Sequence, residues 1–184
     1  MNFFKTAVLT LAAGLAACSG EAALKAADGA AYYYGKIYFY SPDGKMPYNS
    51  GEAALKREIS EGGGLITETA TLAAAAPGMS PAAGVTRFMR RGKTPSFDVT
   101  AMDGSFSGSL IFKGPGLDSW SFETILRSGE KTTGTGEIYE GGLRTSKLVS
   151  GPGRPMLVKE DLKKITVEEY GLRLRELAPA AGAE

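Results

Sequence analysis

The sequence predicts an all-β domain, an antiparallel up-and-down β-barrel followed by a short C-terminal helix. Two observations predict the strands: short runs of β-branched and aromatic residues recur along the chain, and Gly, Pro, Asp or Ser clusters separate them. A third is the alternation of apolar and polar side chains within the runs 106–112 and 119–126. A β-sandwich has the same strand spacing and stays open as the alternative.

Nine or ten strands are expected. The first is a run of aromatic residues, and the last precedes the helix. Residues 73–84, with Pro77, Gly78 and Pro81, are expected to form the longest loop. Gly134-Thr135-Gly136 falls inside a strand and is interpreted as a point of barrel curvature. The predicted strands cover residues 32–40, 55–60, 65–72, 85–90, 96–102, 106–112, 119–126, 132–139, 143–149 and 156–165.

The C-terminal segment changes from strand-like to helical spacing. Thr166-Val167-Glu168-Glu169 matches a capping box, in which the first and last residues satisfy each other's backbone groups. Val167, Tyr170, Leu174 and Leu177 then fall near one face at helical spacing. We expect this face to pack against the barrel wall or to plug one end of the barrel.

The N-terminus has the layout of an export signal. A basic residue, Lys5, precedes an apolar run from Ala7 to Ala17, which is too short to span a bilayer as a helix. The run ends in Leu15-Ala16-Ala17-Cys18, and Cys18 is the single cysteine of the chain. An ordinary secretory signal cut after Ala17 and a cytoplasmic protein with an apolar start are the alternatives.

This tetrapeptide resembles the lipobox of bacterial lipoproteins. The resemblance implies that Cys18 is lipidated, that residues 1–17 are removed, and that acyl chains anchor the chain to the cell envelope. Ser19, rather than Asp, follows the cysteine, so the outer membrane, facing the periplasm, is the expected location in a Gram-negative source. Residues 18–30 are then the tether, 31–177 a single barrel-like domain, and 178–184 a disordered tail.

The strand order also resembles the lipocalin-like, calycin-type barrels, by architecture alone. Those proteins have a Gly-x-Trp motif near the start of the barrel. Here the single tryptophan, Trp120, lies in a late strand. No functional residue is therefore carried over from that family.

Composition excludes several kinds of chemistry. The chain has no histidine, which excludes Ser-His-Asp and Cys-His catalysis and the commonest metal ligand. Lys and Arg number 21 against 20 Asp and Glu, so nothing in the charge favours a nucleic-acid partner. The protein is predicted to be non-enzymatic, with no cofactor and no metal. The acidic residues Asp98, Asp103, Asp118 and Glu123 are interpreted as solvated rather than as a catalytic or Ca²⁺ site.

A serine-based enzyme is also not expected. Ser128-Gly129-Glu130-Lys131 matches the Ser-x-x-Lys pattern of penicillin-interacting enzymes, but the partner motifs are missing. We interpret it as a hairpin turn.

Two local clusters of residues are candidate binding surfaces. Tyrosines at positions 32, 33, 34, 38 and 40 place aromatic rings on both faces of the first strand, either filling the core and meeting the helix or forming an interface. Arg87, Arg90, Arg91 and Lys93 are the one basic cluster, interpreted as a solvated strand end. Anionic lipid headgroups or an acidic protein surface are its alternative partners.

The leading functional hypothesis is an envelope lipoprotein that binds a small apolar ligand inside the barrel. The predicted lining residues are Trp120, Phe122, Phe112, Phe97 and Tyr34. The alternative is a structural or assembly lipoprotein with a solid core, which acts through protein–protein contacts. A third class, a carboxylate-based hydrolase, would need two facing acidic groups in a cleft. An interior cavity lined by the aromatics would favour the first hypothesis, and an exposed patch around residues 32–40 the second.

Overall fold

The computed structural model describes residues 29–62, 65–151 and 155–177, and these residues form a closed ten-stranded antiparallel barrel followed by one helix. Each strand pairs with its neighbours in sequence, and the first pairs with the tenth, which closes the barrel. The predicted up-and-down barrel is confirmed, and the sandwich alternative is wrong. The strands are β1 (Gly29–Tyr40), β2 (Pro47–Gly62), β3 (Leu65–Ala75), β4 (Ala82–Lys93), β5 (Ser96–Ala101), β6 (Phe106–Lys113), β7 (Ser119–Leu126), β8 (Lys131–Tyr139), β9 (Gly142–Ser150) and β10 (Met156–Ile165), and the helix is α1 (Val167–Leu177).

The long loop predicted for residues 73–84 is wrong. Ala73 to Ala75 continue β3, Ala82 to Gly84 open β4, and only residues 76–81 connect them. Pro77, Gly78 and Pro81 suggested the loop, and all three lie within residues 76–81. The flanking alanines have little strand propensity of their own. Tertiary packing overrides that preference, because Ala73, Ala74 and Ala82 are all buried.

Successive turns lie at opposite ends of the barrel, as antiparallel pairing requires. We call the end with the β1–β2, β3–β4, β5–β6, β7–β8 and β9–β10 connections the upper rim. The lower rim is the end where β1 begins and where β10 leads into α1. The described part of the chain therefore begins, at Gly29, at the lower rim.

Helix α1 packs on the outer wall rather than plugging an end. Tyr170 and Leu177 are buried against Ala54 and Ala73, whose small side chains let the helix approach the sheet. Val167 differs from the prediction: it is 51% exposed, because it lies at the first position of the helix, away from the wall. One of the two hydrogen bonds of the predicted capping box is present: the Glu169 backbone N–H donates to Oγ1 of Thr166 at 3.2 Å.

No helix among the described residues is long and apolar enough to cross a membrane.

Candidate functional site

Four of the five predicted lining residues point into the barrel. Phe112, Trp120 and Phe122 occupy inward positions of β6 and β7, and Phe97 does so on β5. Their side chains belong to the single large core cluster. The exposed fraction is 3% for Phe112, 1% for Trp120, and 6% for both Phe122 and Phe97.

Tyr34 is the fifth residue, and its predicted inward orientation is wrong. Its ring lies on the outer wall with the guanidinium of Arg173 on α1 4.7 Å from the ring centroid. Burial, followed by a hydrogen bond to Glu52, raises the pKa of Tyr34 to about 12. Its neighbour Tyr33 faces the core instead. The outer tyrosines Tyr32 and Tyr34 thus meet the helix, with the Tyr32 and Tyr170 ring centroids 5.1 Å apart.

The interior aromatics contact protein atoms rather than a ligand-sized space. Phe97 and Phe112 meet edge to face with their centroids 5.9 Å apart. Gly134 and Gly136 on β8 accommodate the rings of Phe122 and Trp120, which lie where a Cβ would stand. A side chain that lines a large void retains accessible surface, and these side chains retain almost none. The interior wall formed by β5 to β8 is therefore packed.

Charged side chains also lie inside the barrel. Glu68 bridges two arginines: Nε of Arg57 is 2.7 Å from its Oε1, and Arg90 pairs with its Oε2. All three side chains are at least 96% buried. The predicted basic cluster is therefore wrong as one surface, because Arg90 points inward while Arg87, Arg91 and Lys93 are exposed. Inward and outward positions alternate along β4, which separates them.

A second ion pair lies inside the barrel on β9 and β10. Nζ of Lys147 is 2.6 Å from Oε2 of Glu160, and both side chains are fully buried. The hydroxyl of Thr145 donates to the same carboxylate oxygen. Burying a charged group is costly unless it is paired with an opposite charge, as it is here. The ion pairs therefore favour the arrangement of core side chains in which both partners meet.

A groove of about 610 Å³ crosses the outer wall from β6 through β10 to β1. We call it the outer-wall groove. The outward hydroxyls of Ser119, Thr135 and Ser146 lie along it, and the rings of Tyr38 and Tyr40 lie at its β1 end. Its other outward-facing residues are Lys113, Glu137, Arg144, Lys159 and Asp161.

Some charged side chains of the outer-wall groove have an oppositely charged partner, and others do not. Arg144 lies 3.6 Å from Glu137 and 3.3 Å from Asp161, so one guanidinium offsets part of two carboxylates. Lys113 and Lys159 have no carboxylate within 4.0 Å in the part of the chain that the structure describes. Lys159 instead lies 5.3 Å from the ring centroid of Tyr40. The two ends of the groove therefore carry cations that are free to meet an anion.

The remaining candidates do not converge. Asp98 and Glu123 point outward from β5 and β7, while Asp103 and Asp118 lie at opposite rims. Within residues 29–62, 65–151 and 155–177, no group of three or more acidic or other metal-ligating side chains could hold a metal ion.

Ser128 and Lys131 have separate partners, which fits a hairpin turn. Oγ of Ser128 donates to Glu130 at 3.0 Å, and Nζ of Lys131 lies 2.8 Å from Glu123. The expected turn is therefore seen, with the two side chains engaged independently.

The outer-wall groove was not anticipated from the sequence. Most of its residues are outward-facing side chains on six strands, and each of these by itself has the pattern of a solvated position. The inward residues Trp120, Gly136, Thr145 and Glu160 complete its lining. The aromatic excess around Tyr38 and Tyr40 was the one signal that pointed to it.

Comparison with models of known protein families, with curated proteins and with solved structures found no significant match. Function is therefore argued from the geometry of this chain.

Proposed function

We propose that the chain is a non-enzymatic envelope lipoprotein whose barrel has a solid core and binds a partner protein through the outer-wall groove. The lipid would be attached at Cys18, with the barrel held at a membrane surface, the outer membrane facing the periplasm in a Gram-negative cell. The tether would then approach the lower rim, where β1 begins. The carrying observation is that the open, chemically varied concavity lies on the outer wall, while four of the five predicted lining aromatics are packed inside.

The closed barrel restricts how a partner can bind. Because β1 pairs with β10, the described sheet has no free strand edge, and strand addition is not available. Contact must come from side chains on the wall or at the rims. Tyrosine supplies apolar area together with a hydroxyl, which suits such a surface.

The groove chemistry indicates what the partner should present. Lys113 and Lys159 are separated by four inter-strand spacings, roughly 19 Å along the wall. A matching surface would carry two carboxylates at about that separation, with an apolar side chain against Tyr38. Such pairing would favour association and orientation more than affinity, and added salt would weaken it.

Site-specific photo-crosslinking in the native host tests this proposal. A photoreactive side chain at Thr135, inside the groove, should give one discrete protein adduct, and the adduct should disappear when Lys113 and Lys159 are both changed to Glu. The matched control is Thr100, an exposed threonine of β5 outside the groove. Equal adducts from both positions, or an adduct indifferent to the lysine changes, would contradict the groove as the binding surface.

A small ligand inside the barrel is the second candidate. It is favoured by four buried polar atoms without a hydrogen-bond partner among the described residues: Trp120 Nε1, Thr124 Oγ1, Thr132 Oγ1 and Glu160 Oε1. Buried polar groups normally have partners. A bound molecule would supply them here only if packed interior side chains moved aside to admit it. Native mass spectrometry of the whole chain, before and after denaturation, separates the two candidates. A released small molecule would favour the ligand, and an unchanged mass the solid core.

A further inference from the structure

A second concave site lies at the upper rim, between the β5–β6 and β7–β8 turns. It has a volume of about 480 Å³, within the range of small-molecule sites, and we call it the upper-rim pocket. Phe106 and Leu126 give it an apolar base continuous with the barrel core. Asp103, Arg127 and Glu130 line its mouth.

The mouth of the upper-rim pocket carries both signs of charge. Asp103 accepts a hydrogen bond from the Ser105 backbone N–H at 2.9 Å, and hydrogen bonds from Ser105 lower its pKa, with a smaller contribution from Arg127. Glu130 accepts a hydrogen bond from Ser128. Arg127 has no carboxylate within 4.0 Å among the described residues. One cation and two anions thus share a small opening.

Thr86 adds an independent sign of a missing partner. It also lines the pocket and is 7% exposed, and its Oγ1 is buried without a hydrogen-bond partner in the described part of the chain. Leaving a buried hydroxyl unpaired is unfavourable, so a polar group bound beside it would improve the site.

We propose that the upper-rim pocket binds a small zwitterion with an apolar side chain, that is, a free amino acid of about the size of leucine. Arg127 receives the carboxylate, which guanidinium groups bind well. Asp103 and Glu130 receive the ammonium group. The side chain rests on Phe106 and Leu126.

Other ligand classes leave part of this site unsatisfied. An anion without an amine meets the carboxylates of Asp103 and Glu130, which repel it. A simple amine leaves Arg127 without an anion. A wholly apolar molecule would desolvate all three charged groups without replacing their hydrogen bonds.

Three related probes separate these classes by isothermal titration calorimetry on the full chain in detergent. Leucine carries both charges, leucinamide lacks the carboxylate, and 4-methylpentanoate lacks the amine. We expect leucine to bind at least about tenfold more tightly than either analogue. Arg127→Gln should weaken leucine about tenfold and leave leucinamide unchanged. Arg91→Gln, an exposed arginine of β4 outside the pocket, is the matched control.

The outcomes decide the proposal independently of the outer-wall groove. Tightest binding of leucine, lost in Arg127→Gln and kept in Arg91→Gln, supports it. Equal binding of the three probes, binding indifferent to Arg127, or no binding of leucine at millimolar concentration overturns it. Circular dichroism of each variant would confirm that the barrel is folded.

Discussion

The position of Trp120 over Gly136 provides a sharp test of the packed interior. A Cβ at position 136 would lie 2.0 Å from Cζ2 of Trp120 and 2.4 Å from Cε2. Because carbon atoms in favourable contact are about 3.5 Å apart or more, the ring would have to move by roughly 1.5 Å. The surrounding interior is filled, and overpacking of this kind costs about 1–3 kcal/mol. We expect Gly136→Ala to lower the free energy of unfolding by about 2 kcal/mol.

Urea unfolding followed by far-UV circular dichroism measures this change. Trp120 is the single tryptophan, so its fluorescence separately reports whether the ring has moved. Gly171→Ala is the matched control, because a Cβ there meets nothing within 4 Å. As a helix position, it should gain about 0.5–1 kcal/mol. An unchanged unfolding midpoint and emission spectrum for Gly136→Ala would refute the packing argument.

A double variant checks the same contact from the other side. Trp120→Leu removes the ring that the new methyl group meets, so the cost of Gly136→Ala should fall to below about 1 kcal/mol in that background. Equal costs in both backgrounds would mean that the destabilisation comes from the strand and not from the ring.

Three further predictions concern stability. Glu160→Leu should cost about 3–5 kcal/mol in urea unfolding because it leaves Lys147 buried without its carboxylate, and adding Lys147→Met should recover most of that loss. The raised pKa of Tyr34 means that the folded state keeps its proton to about pH 12, whereas the unfolded chain loses it near pH 10. Because the ring is partly exposed and solvent screens its interactions, the free energy of unfolding should fall between these values by only about 1 kcal/mol. Tyr34→Phe should make the fall smaller in a comparison of unfolding at pH 9 and pH 11.5, while the raised pKa values of Tyr139 and Tyr170 leave the remainder. The same slope in both proteins would contradict the contribution of Tyr34. Thr166→Ala should cost about 1 kcal/mol and lower the Tm, since the backbone N–H of Glu169 loses its acceptor.

Much of the strand pattern could be predicted from local sequence. Ten runs separated by turn residues match the ten observed strands, and the alternation in β6 and β7 correctly placed Phe112, Trp120 and Phe122 inside. The capping residue of α1 was also recognisable, because an N-cap is a contact within four residues. Strand ends were less predictable. The alanines flanking residues 76–81 owe their strand conformation to neighbours distant in sequence.

The candidate surfaces show the limit of local reasoning. Lys113 and Lys159 are 46 positions apart in sequence, and only the register of β6 through β10 brings them to one groove. Likewise, Thr86 and Arg127 line one pocket only because of the pairing of β4 through β7. Long-range pairing of this kind leaves no local pattern in the chain.

By itself, the sequence indicated nine or ten strands, the alternation within β6 and β7 and the exclusion of histidine chemistry, since these depend on residue identity and on period-2 geometry. It could not determine which face of the first strand is inside, because tyrosines occupy both. The tertiary structure decided that question: α1 covers Tyr32 and Tyr34, and the core takes Tyr33. It also decided that Arg57, Glu68 and Arg90 lie inside, because an inward charge is tolerated only where another strand supplies its partner.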